Sequence, residues 1–308
     1  MTTRRGFLGA SLAAGFAQFA VPGLAVALEA GQPSRTARGA ALQRAAHQLL
    51  EVPQVFEDPL ALRIFGARGV AWLGRNLDRY RSARARAMRA FLVMRSRYAE
   101  DRLAEAVHAG ARQYVVLGAG LDTFAYRNPH RGLRVFEIDH PTTQAWKREM
   151  LKERDIEVPR TLTYAPVDFE RQTLADGLRR AGFQAQAPAF LSWLGVTVYL
   201  TREAVMDTLR TVASCARGSE IVFDIGLPPS ILDDEQRRAL EAAAARVERI
   251  GEPWLTFFEP GALAAEMRAM GYRQVRVFGP QEANARYFAG RSDGFRVRGA
   301  GFMISAQV

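Results

Sequence analysis

Cysteine, histidine and lysine are all scarce in this chain of 308 residues. The single cysteine, Cys215, excludes an intrachain disulfide, and its apolar helical setting indicates a buried thiol rather than a nucleophile. The four histidines lack H-x-H, H-E-x-x-H or C-x-x-C companions, which argues against a metal site. The first 100 residues contain 15 arginines, six acidic residues and no lysine. Without an RGG tract or a lysine-rich tail, this basic half predicts a solvated helix face or an acidic substrate, and no nucleic-acid partner.

Long apolar runs are also missing, apart from a weakly apolar stretch near the amino terminus. Arg4 and Arg5 precede Phe7 and Leu8, 23 uncharged residues follow Arg5, and Ala25-Val26-Ala27 provides an A-x-A cleavage site. This pattern predicts a twin-arginine signal peptide over residues 1–27. We expect a periplasmic or secreted protein with no stable membrane span after cleavage, although an uncleaved anchor stays open. Initiation at a later codon would remove the signal and leave the protein in the cytoplasm.

The remaining chain divides into a helical cap over residues 28–110 and an α/β domain over residues 111–308. Helical and strand-like segments alternate in the second part, which predicts parallel strands joined by right-handed crossovers. The strand candidates are Gln113–Gly118, Arg134–Asp139, Leu162–Asp168, Ala189–Leu194, Glu220–Ile225, Gln274–Phe278 and Val297–Ala306. The last two are expected to pair antiparallel across an irregular link.

Two further segments complete the predicted organisation. A long arginine-bearing helical region covers about residues 71–109. An insertion over about residues 227–260 contains an amphipathic helix, Asp233–Ile250, and then an aromatic loop. Because ligands bind beyond the carboxyl ends of parallel strands, this insertion is predicted to form a lid. A surface insertion without a role in binding is the alternative.

A glycine turn follows the first strand candidate. Gly118-Ala119-Gly120 ends an apolar β-branched run, and the next strand ends at Asp139. Glycines allow the backbone to approach a ligand closely, and an acid at the tip of the next strand can accept hydrogen bonds from ribose hydroxyls. The third glycine of the dinucleotide fingerprint is missing, and a lone G-x-G can also be an ordinary turn. Another acid, Asp168, after the third strand favours a nucleoside site.

Several stretches together resemble the leucine carboxyl methyltransferase family, in its bacterial S-adenosyl-L-methionine-dependent methyltransferase branch. The resemblance covers about Thr36 to the carboxyl terminus, and its matching segments are VFEDPLALR (55–63), RSRYAED (95–101), LGAGLDTFAYR (117–127), VFEIDHP (135–141), VD (167–168), WLGVTVYL (193–200) and NARYFAG (284–290). It implies a Rossmann-like class I methyltransferase fold. This is an α/β fold with a seven-stranded, mainly parallel sheet, here with a helical N-terminal cap and a lid insertion.

The same resemblance implies roles for individual residues around S-adenosyl-L-methionine. The glycine turn would border the methionine part, two acids at the end of the second strand would hold the ribose, two residues after the third strand would meet the adenine, and an arginine would pair with the cofactor carboxylate. These residues are, in that order, Gly118 and Gly120, Asp139 with Glu137 beside it, Asp168 and Phe169, and Arg97 or Arg95. Glu137 could instead point away from the site, and the arginines could be solvated.

The implied reaction is transfer of a methyl group to an oxygen of a carboxylate or hydroxyl on a small molecule or peptide. The catalytic residue is unknown, and Tyr199 is the candidate for facing the acceptor, with a core tyrosine as its alternative. Leu194 stands where the family often has an acid, which weakens a cofactor or substrate role at that position. The arginines of the cap, Arg84 and Arg89 among them, predict an anionic acceptor. A nicotinamide-dependent oxidoreductase and an exported ligand-binding protein are the competing interpretations.

Overall fold

The computed structural model describes residues 34–167 and 172–308. The predicted signal peptide and the residues Asp168 and Phe169 therefore lie outside the described residues. Within the described residues, no helix is both long and apolar enough to cross a membrane.

Over residues 34–110, where the structure describes the chain without a gap, five helices form the cap: α1 (Arg35–Leu50), α2 (Leu60–Arg63), α3 (Gly66–Arg75), α4 (Leu77–Arg81) and α5 (Ala83–His108). The serine Ser34 caps α1 by accepting a hydrogen bond from the backbone of Ala37. The helical region that the sequence predicts over about residues 71–109 consists of three helices rather than one. Breaks at Asn76 and Ser82 divide it, and Ser82 caps α5 through the backbone N–H of Ala85.

A seven-stranded sheet lies beneath the cap. Its strands are β1 (Gln113–Leu117), β2 (Arg134–Asp139), β3 (Leu162–Pro166), β4 (Ala189–Trp193), β5 (Glu220–Gly226), β6 (Arg273–Phe278) and β7 (Gly301–Gln307). They are ordered β3-β2-β1-β4-β5-β7-β6, with the first five parallel and β7 antiparallel to both of its neighbours. The central strands β1 and β4 are buried along their whole length, as parallel strands with both faces covered must be.

The connections cover the two faces of this sheet. They include α6 (Pro141–Lys152), α7 (Leu174–Arg180), α8 (Arg202–Ala213), α10 (Pro260–Ala269) and α11 (Pro280–Tyr287), and the insertion carries α9 (Asp234–Glu248). The link between β6 and β7 therefore contains a helix, α11, and the expectation of an irregular link is wrong. Its start at Pro280 follows the preference of proline for the first helical turn.

The insertion after β5 differs from the rest of the molecule in its packing. Its helix α9 has a complete capping box between Asp233 and Gln236 but buries no residue fully. The loop that follows is held against the sheet instead, since Leu255 donates to the Val198 carbonyl at 2.7 Å and Phe258 donates to Gly226 at 3.0 Å. The loop, rather than the helix, lies over the carboxyl ends of the strands.

Candidate active site

The glycine turn after β1 has the backbone conformation that its sequence demands. Gly118 and Gly120 have φ values of +66° and +46°, in the region that residues with a side chain rarely adopt. A Cβ on Gly118 would lie 2.4 Å from a methyl of Val196, and one on Gly120 would lie 3.2 Å from Ala37 at the start of α1. The turn is thus enclosed between the end of β4 and the cap. Space and conformation both require glycine at position 118, whereas conformation is the stronger reason at position 120.

Asp139 lies at the tip of β2, next to this turn. Its carboxylate accepts hydrogen bonds from the backbone N–H of Gly120 at 2.5 Å and of His140 at 2.7 Å. Burial raises the pKa of Asp139, while these two donors and the charge of Lys147 act in the opposite direction. A half-buried carboxylate at the end of β2 and beside a glycine turn is suited to accept hydrogen bonds from the hydroxyls of a ribose.

Glu137 is placed deeper than the sequence indicated. Its side chain points to the same face of β2 as that of Asp139, because residues two apart in a strand share a face. It is completely buried, however, and pairs with the buried ammonium of Lys147 at 2.8 Å. Glu137 therefore shares a face with Asp139, but its burial and its pairing with Lys147 argue against the predicted contact with the ribose and leave Asp139 as the carboxylate at the tip.

The two candidate arginines lie on opposite sides of α5. Arg97 is half exposed and is bound to Asp101 at 2.7 Å, with its guanidinium over the ring of Tyr287. Arg95 reaches the ends of β4 and β5, where it donates to Asp224 at 3.2 Å and packs against Gly195. A separation of two residues on a helix is about 200°, so only one of them can face the strand ends. The structure places Arg95 there, the alternative that the sequence left open.

Tyr199 lies in the short 3₁₀ turn after β4, beside Thr36 of α1 and Trp254 of the insertion. Burial raises the pKa of the Tyr199 hydroxyl, so the side chain is protonated at neutral pH. The Nε1–H of Trp254 is buried beside the Tyr199 hydroxyl but makes no hydrogen bond of ordinary geometry with the described residues. The Tyr199 hydroxyl and the Trp254 N–H come from different segments and meet at the carboxyl end of β4. One oxygen of a ligand could accept a hydrogen bond from each of them.

One carboxylate joins the insertion to the cap over this site. Glu252 is buried and accepts hydrogen bonds from the backbone of Arg35 at 2.7 Å, from the backbone and hydroxyl of Thr36, and from the hydroxyl of Ser34. The sequence does not indicate this contact, since no local pattern relates residues more than 200 positions apart. The beginning of α1 and the loop after α9 consequently close the site together.

A buried cluster of charges supports the glycine turn from below. Asp58 accepts from the hydroxyl of Thr123 at 2.7 Å and pairs with Arg127 at 3.4 Å, and Arg127 also forms a two-pronged pair with Glu100. Burial raises the pKa of Glu100. Three of the segments that carried the family resemblance, at 55–63, 95–101 and 117–127, thus meet in one cluster, although no local sequence pattern pairs them.

Arg89, which the sequence assigned to an anionic acceptor, has a structural role instead. It is buried, and its guanidinium binds both oxygens of Glu51, which also receives a hydrogen bond from His47. Although burial alone would raise the pKa of Glu51, the hydrogen bonds from His47 and Arg89 lower it. The expectation for Arg89 is wrong because a paired, buried guanidinium is not available to a ligand, whereas Arg84 is exposed.

The strand order with β7 inserted antiparallel between β5 and β6, together with the glycine turn and the acid at the tip of β2, defines a Rossmann-like class I methyltransferase. The solved structures agree in fold. A DUF574 family protein from Streptomyces avermitilis matches 87% of this chain and 96% of its own length, with a TM-score of 0.54 and 17% identity. A protein from Thermobifida fusca described as a "putative methyltransferase" matches 90% of this chain and 95% of its own length, with a TM-score of 0.51 and 15% identity.

Sequence comparison identifies the family. The leucine carboxyl methyltransferase model matches residues 37–213. The "Putative S-adenosyl-L-methionine-dependent methyltransferase YktD" of Bacillus subtilis is 34% identical over 211 residues, which are 65% of this chain and 67% of that protein. A Mycolicibacterium gilvum protein with the same description is 35% identical over 162 residues, 51% of this chain and 50% of its own. The chain belongs to the leucine carboxyl methyltransferase family, whose cofactor is S-adenosyl-L-methionine, and the expected fold and enzyme class are confirmed.

Proposed function

We propose that the enzyme methylates an oxygen, and that the acceptor is a carboxylate on a small molecule or peptide. The observation that carries this proposal is the meeting of the Tyr199 hydroxyl and the Trp254 indole N–H at the carboxyl end of β4, beside the glycine turn. Both are hydrogen-bond donors, since burial raises the pKa of the Tyr199 hydroxyl and so keeps it protonated at neutral pH. Such a set is complementary to an oxygen that already carries negative charge.

The residues around the glycine turn fit the cofactor. Asp139 would accept hydrogen bonds from the ribose hydroxyls, and Arg95 would pair with the carboxylate of the methionine part. The two glycines would let the protein backbone approach the cofactor closely. When bound, S-adenosyl-L-methionine supplies an electrophilic methyl group. For the adenine, Asp168 and Phe169 remain the proposed contacts, on the resemblance alone.

The protonation of Tyr199 favours a carboxylate over a hydroxyl as the acceptor. An alcohol must lose a proton during transfer and therefore needs a base, whereas a carboxylate is ionised at neutral pH and needs only positioning. Tyr199 is poorly suited to act as a base because burial raises its pKa above the ordinary value for tyrosine. Its hydroxyl would instead orient a carboxylate oxygen toward the methyl donor.

Radiolabelled S-adenosyl-L-methionine tests the proposal directly. Purified enzyme is incubated with methyl-labelled cofactor and a panel of carboxylic acids and matched alcohols, and the product is treated with alkali. A methyl ester releases volatile labelled methanol, whereas a methyl ether keeps its label. Alkali-labile product from the acids supports the proposal, and label that survives alkali contradicts it. Tight binding of S-adenosylhomocysteine in calorimetry, without binding of NADH, separates methyl transfer from nicotinamide chemistry.

The two arginines of α5 form a matched pair for testing the cofactor site. Arg95→Ala should weaken S-adenosylhomocysteine binding by about tenfold or more, since a charge-assisted pair in a partly buried site contributes about 1.5–3 kcal/mol. Arg97→Ala removes the same charge from the other side of the helix and should leave binding within about twofold. Calorimetry of the two variants checks this, and the opposite ranking would return the role to Arg97.

We further propose that residues 1–27 direct export through the twin-arginine pathway. The support is the arginine pair, the uncharged stretch and the A-x-A site of the sequence. Mass spectrometry of the amino terminus after expression in the native host tests it. A chain beginning at Leu28 in the periplasmic fraction is expected, and an intact terminus in the cytoplasmic fraction would overturn it.

A further inference from the structure

An ion pair lies at the carboxyl ends of β4 and β5, on the other side of β1 from Asp139. Arg95 of α5 donates to Oδ2 of Asp224 at 3.2 Å, and the exposed fractions of the two side chains are 13% and 9%. The register of the two strands places Leu194, the residue that follows β4, beside Asp224. Because Leu194 is apolar, Asp224 is the acid available at these two strand ends.

Direct contacts connect this ion pair to the glycine turn. The backbone N–H of Gly195 donates to Oδ1 of Asp224 at 2.5 Å, and a Cβ on Gly195 would lie 2.6 Å from Nη1 of Arg95. The next residue, Val196, packs so closely against Gly118 that a Cβ on that glycine would collide with it. The glycine turn, Val196, Gly195 and the ion pair are therefore successive neighbours, so the pair lies beside the expected place of the methionine part.

Both members of the pair keep hydrogen-bonding capacity that the described residues do not use. A guanidinium has several N–H donors, and Arg95 uses one of them, on Asp224. A carboxylate has about four acceptor positions, and the Asp224 side chain receives hydrogen bonds from Arg95 and Gly195. Charges with unused positions in a mostly enclosed site are costly unless a ligand completes them. A ligand that bears an anion and a cation side by side would use the free positions of both residues.

We propose that Asp224 binds the ammonium of the amino-acid end of S-adenosyl-L-methionine, while Arg95 binds the carboxylate of the same group. This inference rests on the proposed function, which gives Arg95 its partner. An α-amino acid carries its two opposite charges on one carbon atom, and an adjacent guanidinium and carboxylate are complementary to that arrangement. Asp224 is thus a cofactor-binding residue and not only a support for Arg95.

Two analogues of S-adenosylhomocysteine separate ammonium binding from mere support of Arg95. The decarboxylated analogue keeps the ammonium, and the deaminated analogue keeps the carboxylate. If Asp224 binds the ammonium, Asp224→Asn should weaken binding of the decarboxylated analogue and leave the deaminated analogue bound no more weakly than before. If Asp224 only orients Arg95, the same variant should weaken the deaminated analogue and spare the decarboxylated one. The two roles therefore predict opposite rankings.

The measurement is calorimetry of the full chain with S-adenosylhomocysteine and with each analogue. For Asp224→Asn we expect about tenfold weaker binding of S-adenosylhomocysteine and of the decarboxylated analogue, the effect of losing one hydrogen bond between charged groups. Arg95→Ala should weaken S-adenosylhomocysteine and the deaminated analogue instead. Asp101→Asn is the matched control, since it removes the carboxylate partner of Arg97, the other candidate arginine of α5, at 2.7 Å. It should leave all three affinities unchanged.

The outcomes are separable. Wild-type protein that binds none of the three compounds would overturn the proposed function itself. Wild-type protein that binds the deaminated analogue as tightly as S-adenosylhomocysteine would overturn the role of Asp224 alone, as would a loss confined to the deaminated analogue in Asp224→Asn. If Asp224→Asn does not fold, Asp224→Glu replaces it, because that variant keeps a charged partner for Arg95 but moves the carboxylate. The same ranking of the two analogues is then expected, and the opposite ranking would again exclude ammonium binding.

Discussion

Two regions enclose the glycine turn, and they are held in place in different ways. The floor, defined as residues 121–127 with Asp58 and Glu100, is fixed by charges that are buried together. The roof, defined as Ser34–Ala37 and Glu252–Phe258, is fixed by one carboxylate and a few backbone hydrogen bonds. Segments with few buried contacts open locally at low cost, whereas densely connected ones open only with the whole domain.

This difference has a consequence for binding. Ala37 lies against Gly120, and the loop of the insertion lies against the turn after β4, so a ligand must pass the roof. Two open grooves on the surface, of about 690 and 510 Å³, lie elsewhere, beside Met206 and beside Trp146. We expect the roof to open for the cofactor while the floor keeps its shape, as in other enzymes whose loops close over bound ligands.

Asp58→Asn should lower the free energy of unfolding more than any other substitution proposed for these two regions, because it removes a buried charge from the floor. Removing one partner from a buried ion pair commonly costs about 3–5 kcal/mol, and Glu100 still compensates Arg127, so we expect about 3 kcal/mol. Urea unfolding measures it. The control is Asp78→Asn, whose exposed pair with Arg81 should contribute under about 1 kcal/mol. Equal losses in both variants would mean that the floor is no more rigid than the surface.

Gly118→Ala should have the second-largest effect on the free energy of unfolding. An alanine in the left-handed conformation costs about 1–2 kcal/mol, and here its Cβ would also collide with Val196 at 2.4 Å. Gly132→Ala is the matched control, since its φ of +77° imposes the conformational cost while no atom lies within 4 Å of the added Cβ. The thermal unfolding midpoint and the affinity for S-adenosylhomocysteine should both fall more in Gly118→Ala than in Gly132→Ala. Adding Val196→Ala should restore part of the loss, and its failure to do so would exclude the collision as the cause.

Glu252→Gln tests the roof. An amide can accept fewer hydrogen bonds than a carboxylate and donates where donors already converge, so the start of α1 should detach more often. We expect S-adenosylhomocysteine to dissociate about tenfold faster, which corresponds to about 1.4 kcal/mol. Glu259→Gln is the control within the same insertion. Glu259 accepts hydrogen bonds from the backbone of Gly261 and Ala262 at the start of α10, and its partners among the described residues do not include the N-terminal helical cap. Stopped-flow release that is equally fast in both variants would contradict a shared roof.

Arg84→Ala should give the smallest effect. Arg84 of α5 lies near Arg246 of α9. The pKa of Arg84 is lowered mainly by partial burial and, to a smaller extent, by the positive charge of Arg246. Removing one of two exposed like charges should stabilise the fold by less than about 0.5 kcal/mol at low salt, because solvent screens the repulsion. The gain should vanish near 1 M salt, where the Debye length is about 3 Å. A gain that persists at high salt would point to a cause other than charge.

The architecture could be predicted because its signals are local. Apolar runs bounded by glycine, proline and acids mark β1, β2, β4 and β5 to within one residue at each end. A glycine turn and the acid that ends β2 must meet, since the carboxyl ends of adjacent parallel strands lie side by side. The helix α11 was not predicted because its eight residues, which begin at Pro280, show only a weak helical periodicity of apolar residues. Tertiary contacts through Ala283 and Asn284 hold it in place.

By itself, the sequence determined which strands form the sheet and which residues stand at their tips, because periodicity and turn chemistry act over short distances. Only the tertiary structure decided that Arg95 rather than Arg97 faces the strand ends, and that Glu137 is enclosed with Lys147. Only the tertiary structure brought Asp58 to Arg127 and Glu252 to Thr36. Helix and strand periods define two faces but do not say which one meets a partner, and ion pairs between distant segments leave no local pattern.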